Sequence, residues 1–257
     1  MNTPILIPAF GTTAIALATY GHLDMAIRNH FSEREIIWSY SSRMATKKMV
    51  QQEDAAHLSL EETLRQLKTR QVGGVVVQSL HLLPGTEFHD LQRTIRNSEL
   101  ASTMGLPLLT TPGDYDAIGE IFRPTIAERP GTAILLLGHG TTHPTWSAYY
   151  CLEKILRRKF GARIFVGALE KFPDSKGLPV EIQAAGFAEV CIIPFLLIAG
   201  MHYHRDIVGD GQTSWMTRLR NTGLTVEAIS HGLGLFPGVE QLIIRHIAEA
   251  LKRFDAQ

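Results

Sequence analysis

The chain has 257 residues with 25 basic and 25 acidic side chains, so its net charge is zero. This argues against nucleic acid as the main partner, because a protein that neutralises phosphates needs an excess of basic residues. Two cysteines, Cys151 and Cys191, exclude a disulfide framework and a cysteine-based zinc site. No apolar stretch approaches the roughly 20 residues of a membrane span and the N-terminus lacks the regions of a signal peptide, so we expect a cytoplasmic protein without a membrane partner.

Apolar strand candidates alternate with helical patterns along the whole chain, which is typical of parallel sheets covered by helices. The predicted strands are residues 5–8, 35–40, 74–80 and 106–109 in the first half, and 133–137, 162–168, 188–195 and 224–228 in the second. The predicted helices are residues 13–30, 58–70, 88–104, 115–127, 145–160, 179–187, 204–220 and 239–254. Each half is therefore predicted to be a four-stranded α/β unit.

The two halves resemble each other where strands end. Residues 9–13, Ala-Phe-Gly-Thr-Thr, follow the first predicted strand as residues 138–142, Gly-His-Gly-Thr-Thr, follow the fifth. A repeat of about half the chain predicts two similar domains, 1–127 and 128–257, joined within the proline-containing stretch 123–131. We expect a cleft between the carboxyl ends of their strands, where α/β proteins bind ligands.

Three positions match between the halves, each at the end of a different strand. The first half carries Phe10, Ser41 and Glu87 there, and the second half carries His139, Glu170 and His202. Two neutral imidazoles and a carboxylate that converge on one point suit a divalent ion such as Co, Ni, Fe or Zn. Three protein ligands leave coordination positions open, which is typical of a catalytic site rather than a structural one.

Each of several other residues in these regions has both a structural and a functional interpretation. Pro144 suits the first helical position, which makes His143 a capping residue more readily than a ligand. His204 competes with His202 for the third ligand position. Glu87 opens a predicted helix, where the helix dipole alone favours a carboxylate, and His81 lies in a loop where contact with water is the alternative to a role in the site. Glycine-rich nucleotide motifs and a Gly-x-Ser-x-Gly elbow are missing from the sequence.

Taken together, the chain resembles the anaerobic sirohydrochlorin cobaltochelatases of the class II chelatase superfamily, which also contains ferrochelatase. The resembling segments are Ala-Phe-Gly-Thr-Thr at 9–13, Ser-Arg-Met at 42–44, Val-Gln-Ser-Leu-His-Leu-Leu-Pro-Gly at 77–85, Gly-His-Gly at 138–140, Glu170 before Phe-Pro at 172–173, and Ala-Gly-Met-His at 199–202. The resemblance covers nearly the whole chain. It implies two Rossmann-like domains, each a four-stranded, mainly parallel sheet flanked by helices, with a tetrapyrrole bound in the cleft between them.

The resemblance also implies an activity, the insertion of Co2+ into sirohydrochlorin without ATP in anaerobic cobalamin biosynthesis. It implies His139 and His202 as metal ligands and Glu170 as the third ligand found in some members. Imidazoles can both hold the metal and accept the pyrrole protons that must leave, so we expect His139 to be catalytic, assisted by Glu87. Insertion of Fe2+ or Ni2+ into the same macrocycle, or a non-catalytic carrier of metal or tetrapyrrole, are the alternatives.

The expected partners are a divalent metal and sirohydrochlorin or a related tetrapyrrole, and the sequence allows a homo-oligomer. Sirohydrochlorin carries carboxylates that basic side chains should meet, and Arg43 is a candidate by its position. Within the resembling segments, further substrate-binding candidates are Phe10, Ser42, His81 and Met201. Met201 is a departure from the family, since many relatives have a small or acidic residue before the second histidine.

Overall fold

The computed structural model describes residues 2–10, 14–40 and 58–256, with only the backbone described at 14–16. The predicted substrate-binding residues Ser42 and Arg43, and the repeat position Ser41, lie outside the described residues.

The first half of the chain forms a parallel sheet. Its strands are β1 (Ile5–Ala9), β2 (Ile36–Tyr40), β3 (Val75–Gln78) and β4 (Ser102–Gly105), in the order β2-β1-β3-β4. In the parallel register, Ile5 pairs with both Ile36 and Val76, so β1 is a central strand. Every residue of β1 and β3 is buried, as expected for strands that helices cover on both faces.

The second half repeats this topology. Its strands are β5 (Ala133–Gly138), β6 (Ile164–Ala168), β7 (Glu189–Pro194) and β8 (Thr225–Ala228), in the order β6-β5-β7-β8, all parallel. Leu135 and Leu137 of β5 and Ile192 of β7 lie in its apolar core with no exposed surface. Two four-stranded parallel sheets confirm the predicted α/β fold class.

Helices connect and cover the strands. The α-helices are α1 (Ala14–His30), α2 (Leu60–Thr69), α3 (Thr86–Asn97), α4 (Pro112–Ala127), α5 (Ser147–Phe160), α6 (Leu178–Ala184), α7 (Trp215–Arg220) and α8 (Val239–Asp255). Helix α2 shows how such a helix is specified: Ser59 and Glu62 form a reciprocal capping box, and Leu64 and Leu67 are buried. Within the described ranges, no helix combines the length and apolarity needed to cross a membrane.

The chain separates into two compact units that do not follow a single cut in the sequence. One unit contains Met1–Thr110 with Glu240–Gln257, and the other contains Thr111–Val239. In the second unit, Phe122 of α4 packs edge-on against Phe236, with 5.1 Å between ring centroids. In the first unit, His246 of α8 donates from Nδ1 to the Leu106 carbonyl over 3.0 Å. The domain boundary between residues 127 and 128 stays a prediction; in the structure α4 groups with the second sheet and α8 groups with the first.

Two predicted helices differ from the structure. The helix predicted at 88–104 ends at Asn97, because Ser98 caps it and Glu99 adopts a positive φ of 58°, and the fourth strand is therefore residues 102–105 instead of 106–109. The helix predicted at 204–220 is interrupted: a π-helical turn at Tyr203–Ile207 is followed by a loop before α7 begins. A side chain at Gly209 would collide with the Arg205 carbonyl, so the chain turns tightly there.

Candidate metal centre

The structure brings together the side chains of His139, Glu170 and His202 in the second unit. One ligand atom from each of the three lies within 4.8 Å of the other two. The two imidazole rings are 4.7 Å apart between centroids and stand at 89° to each other. These are the three positions at which the sequence predicts metal ligands, and the spacing allows one ion to touch all three.

Backbone hydrogen bonds hold Glu170 beside His139. The loop after β6 runs alongside the loop after β5: the Leu169 N–H donates to the Gly138 carbonyl over 2.8 Å, and the Glu170 N–H donates to the His139 carbonyl over 3.1 Å. Thr141 and Phe172 continue the pairing as an isolated antiparallel bridge. Main-chain pairing thus holds the backbones of these two candidate ligands next to each other.

The two glycines around His139 are required by close packing. A Cβ at Gly138 would collide with the ring of Tyr149, and a Cβ at Gly140 would collide with the Glu170 carbonyl oxygen. Gly140 also has a φ of +87°, which side chains disfavour. The buried Tyr149 hydroxyl accepts the Gly140 N–H over 2.9 Å. The Gly-His-Gly sequence therefore allows the turn, the tyrosine and the neighbouring loop to meet at one place.

His202 reaches the centre from the loop that follows β7. The Leu233 N–H donates to the Leu196 carbonyl over 2.7 Å, and the Gly234 N–H donates to the Leu197 carbonyl over 2.9 Å. These bonds hold residues 196 and 197 of the loop, and His202 further along directly precedes the π-helical turn. The third candidate ligand is therefore carried on a loop that is held by main-chain hydrogen bonds.

Hydrogen bonds orient both imidazoles in the same way. His202 donates from Nδ1 to Asp206 Oδ2 over 2.7 Å, and His139 donates from Nδ1 to the Gly140 carbonyl over 3.2 Å. Carboxylates and carbonyls only accept hydrogen bonds, so a ring that carries a single N–H has it on Nδ1 and keeps the lone pair on Nε2. In each case Nε2 is the nitrogen that can bind a metal, and a carboxylate partner makes it a stronger ligand.

Asp206 is a functional candidate that the sequence reasoning missed. Arg205 donates from Nε to Asp206 Oδ1 over 2.6 Å, and this bond, with the smaller contribution of His202, lowers the pKa of the Asp206 carboxyl below its usual value. The Asp206 carboxylate is therefore ionised at neutral pH. The sequence feature that could have pointed to Asp206 is its place in a predicted helix, four residues after His202.

Arg205 links the two acidic groups of the centre. Its Nη2 lies 4.0 Å from Glu170 Oε1 and 2.9 Å from Asp206 Oδ2. The guanidinium therefore offsets part of the negative charge of both carboxylates, and an incoming dication would compete with it for Glu170.

Three neighbouring residues stand apart from the ligand group. His143 caps the short helical turn Pro144–Trp146 by accepting the Thr145 N–H at Nδ1 over 3.3 Å, which confirms its predicted capping role. His204 is exposed, with its ring 5.2 Å from that of Tyr203. Met201, next to His202, is 68% exposed. Among the described residues, neither His143 nor His204 belongs to the group that could hold a metal with His139.

The described site candidates of the first unit are Phe10, His81 and Glu87. Phe10, directly after β1, packs on the ring of His81, with 4.3 Å between centroids. Burial lowers the pKa of His81 to about 4, against a small opposing effect of the Glu87 charge, so His81 is neutral at pH 7. Glu87 lies exposed in the first turn of α3.

Comparison with known proteins gives one family match. The model of the family described as "Cobalt chelatase (CbiK)" matches residues 3–252. The sirohydrochlorin cobaltochelatase of Salmonella typhimurium is 28% identical over 224 residues, which cover 85% of this chain and 84% of that protein. The sirohydrochlorin cobaltochelatase CbiKC of Nitratidesulfovibrio vulgaris is 27% identical over an alignment of 262 residues, which covers 98% of this chain and 91% of that protein.

Two solved structures share the fold. The sirohydrochlorin chelatase SirB from Bacillus subtilis subspecies spizizenii, in complex with cobalt, has a TM-score of 0.63 at 12% identity and covers 99% of this chain and 98% of that one. CbiX, the terminal enzyme of siroheme biosynthesis in denitrifying bacteria, has a TM-score of 0.62 at 15% identity, with 96% and 99% covered. At these identities the similarity shows the fold alone.

Proposed function

The chain belongs to the cobalt chelatase family CbiK, and from this we propose that it inserts Co2+ into sirohydrochlorin without ATP. The observation that carries the proposal is the group of two imidazoles and one carboxylate whose ligand atoms lie within 4.8 Å of one another. Relatives named as sirohydrochlorin cobaltochelatases, similar over most of their length, support the same substrate pair.

The donor set suits delivery of a metal rather than storage. Two neutral nitrogen donors and one carboxylate satisfy a borderline divalent ion while leaving coordination positions open for the macrocycle. Insertion exchanges the ion for two pyrrole N–H protons, so the ring nitrogens replace the protein ligands as the metal leaves. As His139 and His202 each release the metal, the freed lone pair can accept the proton of the pyrrole nitrogen that takes that ligand's place.

We propose that Glu87 assists as a further proton acceptor, because its carboxylate is exposed at the start of α3. We propose Phe10, His81 and Met201 as contacts to the macrocycle, together with Ser42 and Arg43, which lie outside the described residues. The support for His81 is its enforced neutral state, since an uncharged imidazole packed on Phe10 can face an aromatic ring system without a charge being buried.

The metal is proposed as Co2+, in line with the family. A site of two imidazoles and a carboxylate also accepts Fe2+ and Ni2+, because affinity follows the general transition-metal order. An insertion assay in which Co2+, Fe2+ and Ni2+ compete would decide which of these ions the protein inserts. Location in the cytoplasm and assembly into a homo-oligomer stay predictions.

The test is an insertion assay. Purified protein incubated with Co2+ and sirohydrochlorin under anaerobic conditions should shift the absorption of the tetrapyrrole faster than Co2+ alone. His139→Ala should lower kcat/KM by about 10²–10⁴-fold, because it removes a metal ligand and proton acceptor. The matched control is His204→Ala, which changes an exposed histidine two residues after His202. A wild-type rate equal to the protein-free rate would refute the proposed function.

A further inference from the structure

A cavity of about 540 Å3 opens beside Glu170 within the second unit. Its charged lining consists of Glu170, Lys171, Asp174, Lys176 and Arg218. Glu170, a proposed metal ligand, therefore forms one part of the lining, and the other charged side chains are three cations and one further carboxylate. The cavity begins at the metal centre, but His139 and His202 do not line it.

Arg218 lines this cavity and is held by contacts that leave most of its donors unused. Its guanidinium stacks on the buried Trp215, 4.4 Å from the ring centroid, and Nη2 donates to the Lys176 carbonyl over 2.8 Å. Within the described part of the chain, Arg218 has no carboxylate at ion-pairing distance. Burial lowers the pKa of Arg218, and the charge of Asp174 opposes this only in part.

Hydrogen bonds tie the loop that contacts Arg218 back to its own strand. Ser175, which is buried, accepts the Ala168 N–H and donates to the Pro173 carbonyl, so the loop after β6 is tied back to the strand. Asp174 accepts the Lys176 N–H over 3.2 Å, which leaves that carboxylate engaged with its own loop. A stacked and partly desolvated guanidinium on such a frame favours a planar, bidentate anion.

We propose that this cavity is an anion subsite that receives one side-chain carboxylate of the tetrapyrrole. Arg218 is its main partner, and Lys171 and Lys176 add positive charge at the rim. The inference rests on the proposed function, because it names how that same substrate is oriented relative to Glu170. A small free anion such as phosphate has the same chemistry and is the alternative occupant.

The experiment compares Arg218→Gln, Arg218→Lys and Arg220→Gln with the wild type. Arg220 is exposed on the same helix, so its variant controls for the loss of one positive charge. Arg218→Gln should raise the KM for sirohydrochlorin by about 10- to 100-fold, as loss of a charge-assisted hydrogen bond predicts, with the Kd for Co2+ unchanged. Arg218→Lys should recover part of the loss, and Arg220→Gln should resemble the wild type.

Further measurements separate this proposal from the proposed function and from binding of a free anion. Insertion by the wild type with an unchanged KM in Arg218→Gln would overturn the subsite and leave the chelatase activity standing. The binding of metal-free sirohydrochlorin, measured by its absorption without Co2+, tests the subsite without any turnover. Tight binding of inorganic phosphate to the wild type, lost in Arg218→Gln while macrocycle binding is retained, would overturn the proposal in favour of a free anion.

Discussion

At the scale of single residues, the bond between His202 Nδ1 and Asp206 sets which nitrogen of that ring can bind a metal. The 2.7 Å contact joins an imidazole to a carboxylate that Arg205 keeps ionised. A carboxylate in this place both orients the ring and makes the opposite nitrogen more basic. We therefore propose Asp206 as a positioning residue that would act on a bound metal through His202.

Replacing Asp206 by Asn should weaken Co2+ binding without unfolding the protein. The amide oxygen can still accept the Nδ1 proton, but the negative charge is lost, and such changes typically cost about 10–100-fold in metal affinity. The measurement is a Co2+ titration followed by the visible absorption of the bound ion. Asp210→Asn, on an exposed position of the following loop, is the control. Equal Co2+ affinities in both variants would show that Asp206 does not act through His202.

The three candidate ligands can be predicted from sequence, but their support cannot. His139, Glu170 and His202 stand out because the matching positions of the first half hold different side chains. Asp206 does not stand out, since an acidic residue in a predicted helix is ordinarily a solvated one. Its role depends on the π-helical turn that begins after His202, and periodicity does not reveal such a turn.

At the scale of elements, the strand-end turns of the two units are built alike. The Tyr20 hydroxyl accepts the Phe10 N–H over 3.0 Å and donates to the Phe10 carbonyl over 2.5 Å. The Tyr149 hydroxyl accepts the Gly140 N–H over 2.9 Å. Phe10 to Tyr20 and His139 to Tyr149 are the same ten-residue step, so a helix tyrosine supports the turn in each half. The similarity between the two halves therefore extends from the strands to the tyrosine that supports the turn after each first strand.

The Tyr149→Phe change should destabilise the turn that carries His139. The ring contact with Gly138 remains, but the buried Gly140 N–H loses its acceptor, which costs about 1–3 kcal/mol. Tyr150→Phe is a matched control on the same helix, because the Tyr150 side chain is 55% exposed. Urea denaturation should give a lower free energy of unfolding for Tyr149→Phe alone. If both variants unfold at the same urea concentration, water replaces the hydroxyl and the proposed support is unnecessary.

Strands with long apolar runs are the best predicted elements. The run at 133–137 matches β5, Ala133–Gly138, because a buried central strand needs apolar residues on both faces. β4 is missed because Ser102–Gly105 is short and only alternate residues are buried. The apolar residues Leu108 and Leu109, predicted as strand, instead bond to the His81 and Leu82 carbonyls in the loop after β3. Local hydrophobicity thus predicts which residues are buried, but it does not predict which part of the chain they pack against.

At the scale of the whole molecule, the last helix completes the unit that the first residues begin. Helix α8 follows the second sheet in sequence, yet its contacts group it with the first sheet. Arg253 donates to the Met104 carbonyl over 2.7 Å, and a side chain at Gly74 would collide with the ring of Phe254. Such pairings join residues more than a hundred positions apart, and a division of the sequence into halves cannot show them.

Ending the chain at Gly238 should therefore destabilise the first unit while sparing the second. Ile243, Ile247 and Leu251 of α8 are buried, and burial of such side chains is worth about 1.5–3 kcal/mol each. Their loss, roughly 5–9 kcal/mol, is comparable to the whole stability of a typical domain, about 5–15 kcal/mol. Hydrogen exchange should show β1 and β3 losing protection while β5 and β7 retain it, and Co2+ binding at His139 should persist. A chain ending at Asp255 is the control, and retained protection in β1 would mean that the first sheet is stable without this helix.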